Sequence, residues 1–240
     1  MGRAADTGKQ LMNTLRTRLF HLFGCLVLAT IHPSIANAQD TADFSGLTLV
    51  QLFNNEKLKA IAIEKGGAAF QQHCAECHGA DATGKTGVPD LTNGIWLWGG
   101  ALSDLEISIR YGIRSGHSLQ RFSEMPAYKN YELLDADQLN DLVEYTLSLS
   151  IQEADPEAVK RAAPNFENIC SECHDYNGRG RMEYYGAPDL TDYYWLYGES
   201  KDAIRVSIVD GRAGVSPAYD GKLDNETIKM LVIYIHSLTH

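Results

Sequence analysis

The pentapeptide Cys74-Ala75-Glu76-Cys77-His78 recurs as Cys170-Ser171-Glu172-Cys173-His174, and the repetition extends well beyond these residues. Pro89-Asp90-Leu91-Thr92 returns as Pro188-Asp189-Leu190-Thr191, and Trp96-Leu97-Trp98-Gly99 returns as Trp195-Leu196-Tyr197-Gly198. Met125-Pro126-Ala127-Tyr128 returns as Ser216-Pro217-Ala218-Tyr219, and Tyr145 with Ser148-Leu149 returns as Tyr234 with Ser237-Leu238. Five blocks in one order define two copies of one domain. The chain must therefore build two similar units, each organised around its own Cys-x-x-Cys-His.

Each copy reads as helical. Asp135 is an N-cap with Gln138 three residues on, and the helix it opens places Leu139, Leu142, Val143 and Thr146 on one face. After Asp224 the residues Ile228, Leu231, Val232 and Ile235 follow the same spacing. Gly66 and Gly67 precede a short helix leading to Cys74, while the stretch Glu153 to Pro164, with two prolines and mixed charge, reads as linker. The expected organisation is an export signal over 1–38, an N-terminal extension over 39–65, a first domain over 66–150, a linker over 151–161 and a second domain over 162–240. A copy of about 80 residues has a thin core of its own and needs a staple, a metal or a large apolar cofactor to fill it.

The cysteines point to the cofactor. Of the five, Cys74, Cys77, Cys170 and Cys173 form the two pairs and Cys25 lies in an apolar stretch, so none is left for a disulfide framework. Cys-x-x-Cys-His is the attachment signature of c-type haem. Two thiols in one helical turn can form thioethers to the two vinyl groups of one haem, and the adjacent imidazole then meets the iron. A zinc knuckle would want four close ligands per site, and a thioredoxin-like dithiol would want a βαβ context and no histidine. The expectation is two covalently attached haem c groups, with His78 and His174 as iron ligands.

A haem that only shuttles electrons usually has a sixth ligand, and a methionine sulfur opposite histidine raises its potential. Met125 sits in a loop marked by Pro126, ahead of the last helix of its copy, and is expected to ligate the first haem. Ser216 stands at the equivalent place in the second copy, where a hydroxyl is a poor iron ligand. That leaves the second iron vacant, or ligated by Met182 or Met230. Pro89 and Pro188 follow the motifs at a distance where their carbonyls could hold the histidine Nδ1–H. Trp96, Trp98, Trp195 and Tyr197 are candidates for lining the haem clefts, and Arg110, Arg114, Arg205 and Arg212 are candidate partners of haem propionates.

The N-terminus reads as an address. Lys9, Arg16 and Arg18 precede the apolar run Leu19 to Ile31, followed by Pro33 and the triplet Ala36-Asn37-Ala38, the pattern of a signal cut after Ala38. The run is short of the roughly 20 residues a spanning helix needs. A periplasmic protein is expected, reaching a membrane only through a partner or an uncleaved N-terminal segment. Lys plus Arg number 21 against 31 Asp plus Glu, a net charge of −10, which disfavours nucleic acid and suits docking to basic protein patches.

With these residues in view, the chain resembles subunit III, the CcoP/FixP type, of cbb3-type cytochrome c oxidases. The most specific pieces are Cys74-Ala75-Glu76-Cys77-His78-Gly79, Trp96-Leu97-Trp98-Gly99-Gly100, Arg110-Tyr111-Gly112-Ile113-Arg114-Ser115, Met125-Pro126-Ala127, Ala187-Pro188-Asp189-Leu190-Thr191-Asp192 and Trp195-Leu196-Tyr197-Gly198. The resemblance implies an all-α protein of two tandem class I cytochrome c domains, each wrapped around one covalent haem c. It implies electron transfer from donor cytochromes or a quinol-oxidising complex towards a terminal oxidase core in a respiratory chain. On that pattern His78 and Met125 ligate one iron and His174 the other. Where the family carries an N-terminal membrane helix, this chain has the short run above and a polar-to-amphipathic stretch, Asp40 to Lys65. Where the family carries a second methionine, this chain has Ser216. A second reading, from the enzyme class, is a dihaem redox enzyme whose open second haem, at His174, binds a small oxidant such as peroxide or a gas.

Overall fold

The computed structural model describes residues 44–131 and 133–239, and the expected export signal, with Cys25, lies outside the described residues. Among the described residues the chain is helical, with isolated β-bridges and no strand, as the sequence leads one to expect. In chain order the helices are α1 (Leu49–Asn54), α2 (Glu56–His73), α3 (Ala75–His78), α4 (Leu102–Tyr111), α5 (Ala136–Leu149), α6 (Pro156–Asn165), α7 (Ser171–His174), α8 (Met182–Tyr185), α9 (Lys201–Asp210) and α10 (Asn225–Ser237). A π-helical turn, Phe166–Cys170, joins α6 to α7, and a 3-10 turn spans Tyr128–Asn130.

The predicted caps form. Asp135 accepts from the Gln138 amide and Gln138 returns a bond to the Asp135 amide, so α5 starts with two of its orphan donors satisfied. Asp224 caps α10 through the Thr227 amide at 2.7 Å. Both helices bury the faces that their spacing marks out, Leu139, Leu142, Val143 and Thr146 in α5 and Ile228, Leu231, Val232 and Ile235 in α10.

Two stretches outside the expected domains hold helices. The expected N-terminal extension contains α1 and the first half of α2, capped by Thr48 and Asn55. The linker is helical from Pro156, because Asp155 caps its start and Pro156 stands at the first helical position, where a missing N–H costs nothing.

The helices do not pack repeat by repeat. The last helix of the second repeat, α10, packs along α2 and α4 of the first. The last helix of the first repeat, α5, packs on α6 and α9 of the second. One core joins Phe44, Leu52, Phe70 and Leu105 to Leu231, Val232 and Ile233. The other joins Leu139, Leu142, Val143 and Leu147 to Phe166, Leu190, Ile204 and Ile208. Polar contacts follow the same division: Asp141 and Glu144 of α5 pair with Arg161 of α6 and Lys201 of α9, and Arg110 of α4 bonds Asp220 and Asn225.

The crossing of α2 with α10 explains the paired glycines inside α2. A Cβ at Gly66 would lie 2.2 Å from the Met230 carbonyl oxygen and 2.7 Å from the Tyr234 Cβ, so only glycine lets the two backbones approach so closely.

Candidate haem sites

Each Cys-x-x-Cys-His occupies a single turn that ends a longer helical run. α2 leads into Cys74 and α3, and α6 with its π-turn leads into Cys170 and α7. The two thiols of each motif therefore stand one turn apart on one side, next to the histidine. The Pro-Asp-Leu-Thr blocks then fix the imidazoles. Asp90 accepts from the Thr92 amide and hydroxyl, both at 2.7 Å, and Asp189 does the same for Thr191 at 2.7 and 2.6 Å. These turns pin the preceding carbonyls, so Pro89 O receives His78 Nδ1–H at 3.0 Å and Pro188 O receives His174 Nδ1–H at 3.2 Å. A carbonyl can only accept, so the proton is on Nδ1 and Nε2 keeps its lone pair for a metal.

The electrostatics suit neutral groups. Burial pushes both imidazoles below the ordinary histidine value, against the opposing effect of the proline carbonyls, so both are neutral at pH 7. Burial also pushes the Cys74 thiol up to about 11 and the Cys170 thiol up to about 12, with the neighbouring cysteine adding to each. A redox dithiol or zinc site would need easily formed thiolates. Among the described residues no cluster of three or more His, Cys, Asp or Glu side chains could hold a metal ion.

Around the second motif the structure encloses an apolar cavity. Its lining includes Cys170, Cys173, His174, Leu142, Phe166 and Trp195. Met125 lines it too, packed against the second core. The expectation set Met125 beside His78; in the structure the methionine of the first repeat lines the cavity that holds His174. The exchange of helices carries it there, because Met125 precedes α5 and α5 belongs to the second core.

The counterpart segment moves the opposite way. Ser216 is bridged to Ile113 of the first repeat, while Met125 is bridged to Arg212 of the second. The following tyrosines report the same geometry. Burial raises the Tyr128 phenol to about 12, and the thiols of Cys170 and Cys173 add to the rise. Burial raises Tyr219 as well, with Cys74 and Cys77 as the added influence. Its hydroxyl donates to the His73 carbonyl at 2.6 Å, beside the first motif. The Ser216–Tyr219 segment thus lies on the side of the first motif.

With the architecture of both motifs in place, comparison with known proteins is decisive. Residues 63–150 match the family model described as cytochrome c, and residues 157–235 match cytochrome c oxidase, cbb3-type, subunit III. The chain is 35% identical over 231 residues to the cbb3-type cytochrome c oxidase subunit FixP of Bradyrhizobium sp. (strain ORS 278), covering 94% of this chain and 79% of that one. It is 37% identical over 223 residues to FixP of Bradyrhizobium diazoefficiens, covering 90% and 77%. It is 34% identical over 211 residues to the CcoP subunit of Cereibacter sphaeroides, covering 88% and 69%. The chain belongs to the CcoP/FixP family. It is an electron-transfer subunit with two cytochrome c domains and two covalent haem c groups, and it works with a cbb3-type oxidase.

The residues of this CcoP/FixP-type chain fit those groups: paired thiols on one turn, a neutral imidazole with its Nε2 free, and an apolar cavity beside the second motif. The other candidates separate. Arg114 and Arg212 line the second cavity, whereas Arg110 is engaged by Glu106 and Arg205 by Asn140. Arg114 is held by the carbonyls of Ser123 and Gly214, partners that leave its positive charge for an anion. Trp195 and Tyr197 line the cavity, Trp96 packs on the first core, and Trp98 covers Gly186. Met182 heads α8, and its side chain lies outside the described set. Met230 is buried in the first core. Among the described residues no helix is long and apolar enough to cross a membrane.

Proposed function

We propose that this subunit works in the periplasm as an electron relay between donor cytochromes or a quinol-oxidising complex and the core of its oxidase. Cys74 and Cys77 tether one haem and Cys170 and Cys173 the other, with His78 and His174 as the iron ligands. Each haem supplies a reversible one-electron ferric–ferrous couple. The chain's part is to orient and tune it. Pro89 and Pro188 hold the imidazoles in the tautomer that donates to iron, and the apolar walls keep water away, which limits reorganisation during transfer. The 1–38 segment supplies the export signal, and the acidic surface gives basic partners a docking field.

In this reading Met125 provides the sixth ligand at His174, across the repeat boundary, and so raises the potential of the second site. The observation that carries it is the presence of Met125 in one cavity with Cys170, Cys173 and His174. Chains carrying a single haem test it. With Cys74→Ala and Cys77→Ala, the near-infrared charge-transfer band of methionine-ligated ferric haem should persist and should vanish on adding Met125→Ala. With Cys170→Ala and Cys173→Ala it should be absent from the start. A band found only in the second of these chains would overturn the exchanged ligation.

A further inference from the structure

We propose that the iron position at His78 has no sixth protein ligand and binds small neutral π-acceptor molecules, with carbon monoxide and nitric oxide as the type. The inference rests on the exchanged arrangement just described and concerns the site that Met125 leaves.

Two equivalent crossings carry the argument. Met125 N–H donates to Arg212 O at 2.9 Å and Arg212 N–H to Met125 O at 3.0 Å. Ser216 N–H donates to Ile113 O at 2.9 Å and Ile113 N–H to Ser216 O at 3.0 Å. A glycine in the left-handed region precedes each inner partner, Gly211 at φ +71° and Gly112 at φ +72°. A Cβ at Gly211 would meet Met125 O at 2.4 Å, and one at Gly112 would meet Ser216 O at 2.5 Å. Backbone and turn are thus duplicated in detail, with Tyr128 lining the cavity of the second motif and Tyr219 donating to the His73 carbonyl beside the first. Where the first segment carries the Met125 thioether, the equivalent position on the side of the first motif carries the neutral Ser216 hydroxyl, whose oxygen lies one bond closer to the backbone than a methionine sulfur. Such a group cannot span the distance a methionine sulfur covers, and it is a weak iron ligand. It can still donate a hydrogen bond to a molecule bound there.

Among the described residues, the histidines and the lysine on this side pack against aromatic rings. The His73 ring faces Tyr219, with centroids 6.3 Å apart. His117 stacks on Tyr111 at 4.9 Å and approaches Asp220 at 3.6 Å. His236 packs edge-on to Phe53 at 5.0 Å, Lys222 lies over the Tyr219 ring, and Met230 is part of the seam between α2 and α10. Binding at this position is a reversible coordination in which no electron is transferred and no bond of the ligand breaks.

The test uses the full dihaem chain. Carbon monoxide is titrated into the reduced protein while the Soret band is followed, and electron paramagnetic resonance is recorded on the oxidised protein. The expected result is one carbon monoxide bound for every two haems and one high-spin with one low-spin ferric signal. Ser216→Met should abolish both the binding and the high-spin signal. No Soret change in the wild-type chain, or binding that survives Ser216→Met in a correctly folded variant, overturns the proposal. Met125→Ala distinguishes the two readings: a rise to two carbon monoxide molecules per chain supports Met125 as ligand of the other iron, and an unchanged stoichiometry removes that assignment. If Ser216→Met does not fold, the wild-type spin count decides, since two low-spin signals overturn the proposal by themselves.

Discussion

Met125 and Arg212 exchange both of their backbone hydrogen bonds, although one belongs to the first repeat and the other to the second. Ile113 and Ser216 form the mirror pair. These two short crossings mark where the chain passes between its cores. Everything from Met125 to Val209 that enters the second core is contiguous, whereas the first core draws on residues before Ile113 and after Ser216.

Replacing Met125 by alanine should lower one of the two midpoint potentials and leave the other in place. The fall should be on the order of a hundred millivolts, within the roughly 0.8 V range that axial ligands span. A spectroelectrochemical titration of the holoprotein measures it.

Gly66 and Gly67 should respond differently to alanine. At Gly66 the new Cβ meets the Met230 backbone at 2.2 Å, so the helices must separate, at a cost of about 2 to 3 kcal/mol. At Gly67 the nearest atoms are the Tyr234 ring at 3.2 Å, which can shift, and helix propensity gains about 1 kcal/mol, leaving the change near neutral or stabilising. Denaturant unfolding of the two variants checks the contrast.

The segment 122–213 should retain helical structure when made alone with its haem, whereas 44–150 should not fold to a native-like state. The second core is complete within the former. The latter lacks Ile228, Leu231, Val232 and Ile233, each 0% exposed in the intact chain and each contributing roughly 1.5 to 3 kcal/mol. Circular dichroism and protease resistance report the outcome.

Asp224→Ala should cost about 1 kcal/mol by removing the cap of α10. The hydrogen bonds from Thr227 hold this carboxyl below its ordinary value of 3.8. A depressed folded value means that the capping contribution is complete above about pH 4 and is lost as pH falls through the folded value. The stability difference between wild type and variant should therefore shrink in acid, as paired unfolding curves would show.

Much of this was legible in the sequence. The repeat gave two helical copies, the Cys-x-x-Cys-His motifs gave the haem sites, and the Asp135 and Asp224 caps gave the start of the last helix in each copy. The partner of each helix was not legible. α5 and α10 present nearly the same apolar face, so the pattern suits either α2 or α6 equally well. The usable signal was the short connection from Ser150 to Asp155, since a brief loop makes consecutive helices antiparallel neighbours. The two prolines of 153–164 suit a linker as well as a helix start, and Pro156 opens a helix. The core that the Met125 loop joins was not legible for the same reason, because sequence order does not reveal which helices it will meet.

The glycine crossing of α2 and α10 also sets an order of events as the chain emerges, N-terminus first, into the compartment where it folds. The first Cys-x-x-Cys-His emerges early, yet the helix that shelters it lies beyond the whole of the other unit, like a closing parenthesis around an inner clause. The inner unit can condense once Arg212 has emerged. The outer one stays ajar until α10 arrives, so the motif that comes first in the chain is the last to be enclosed.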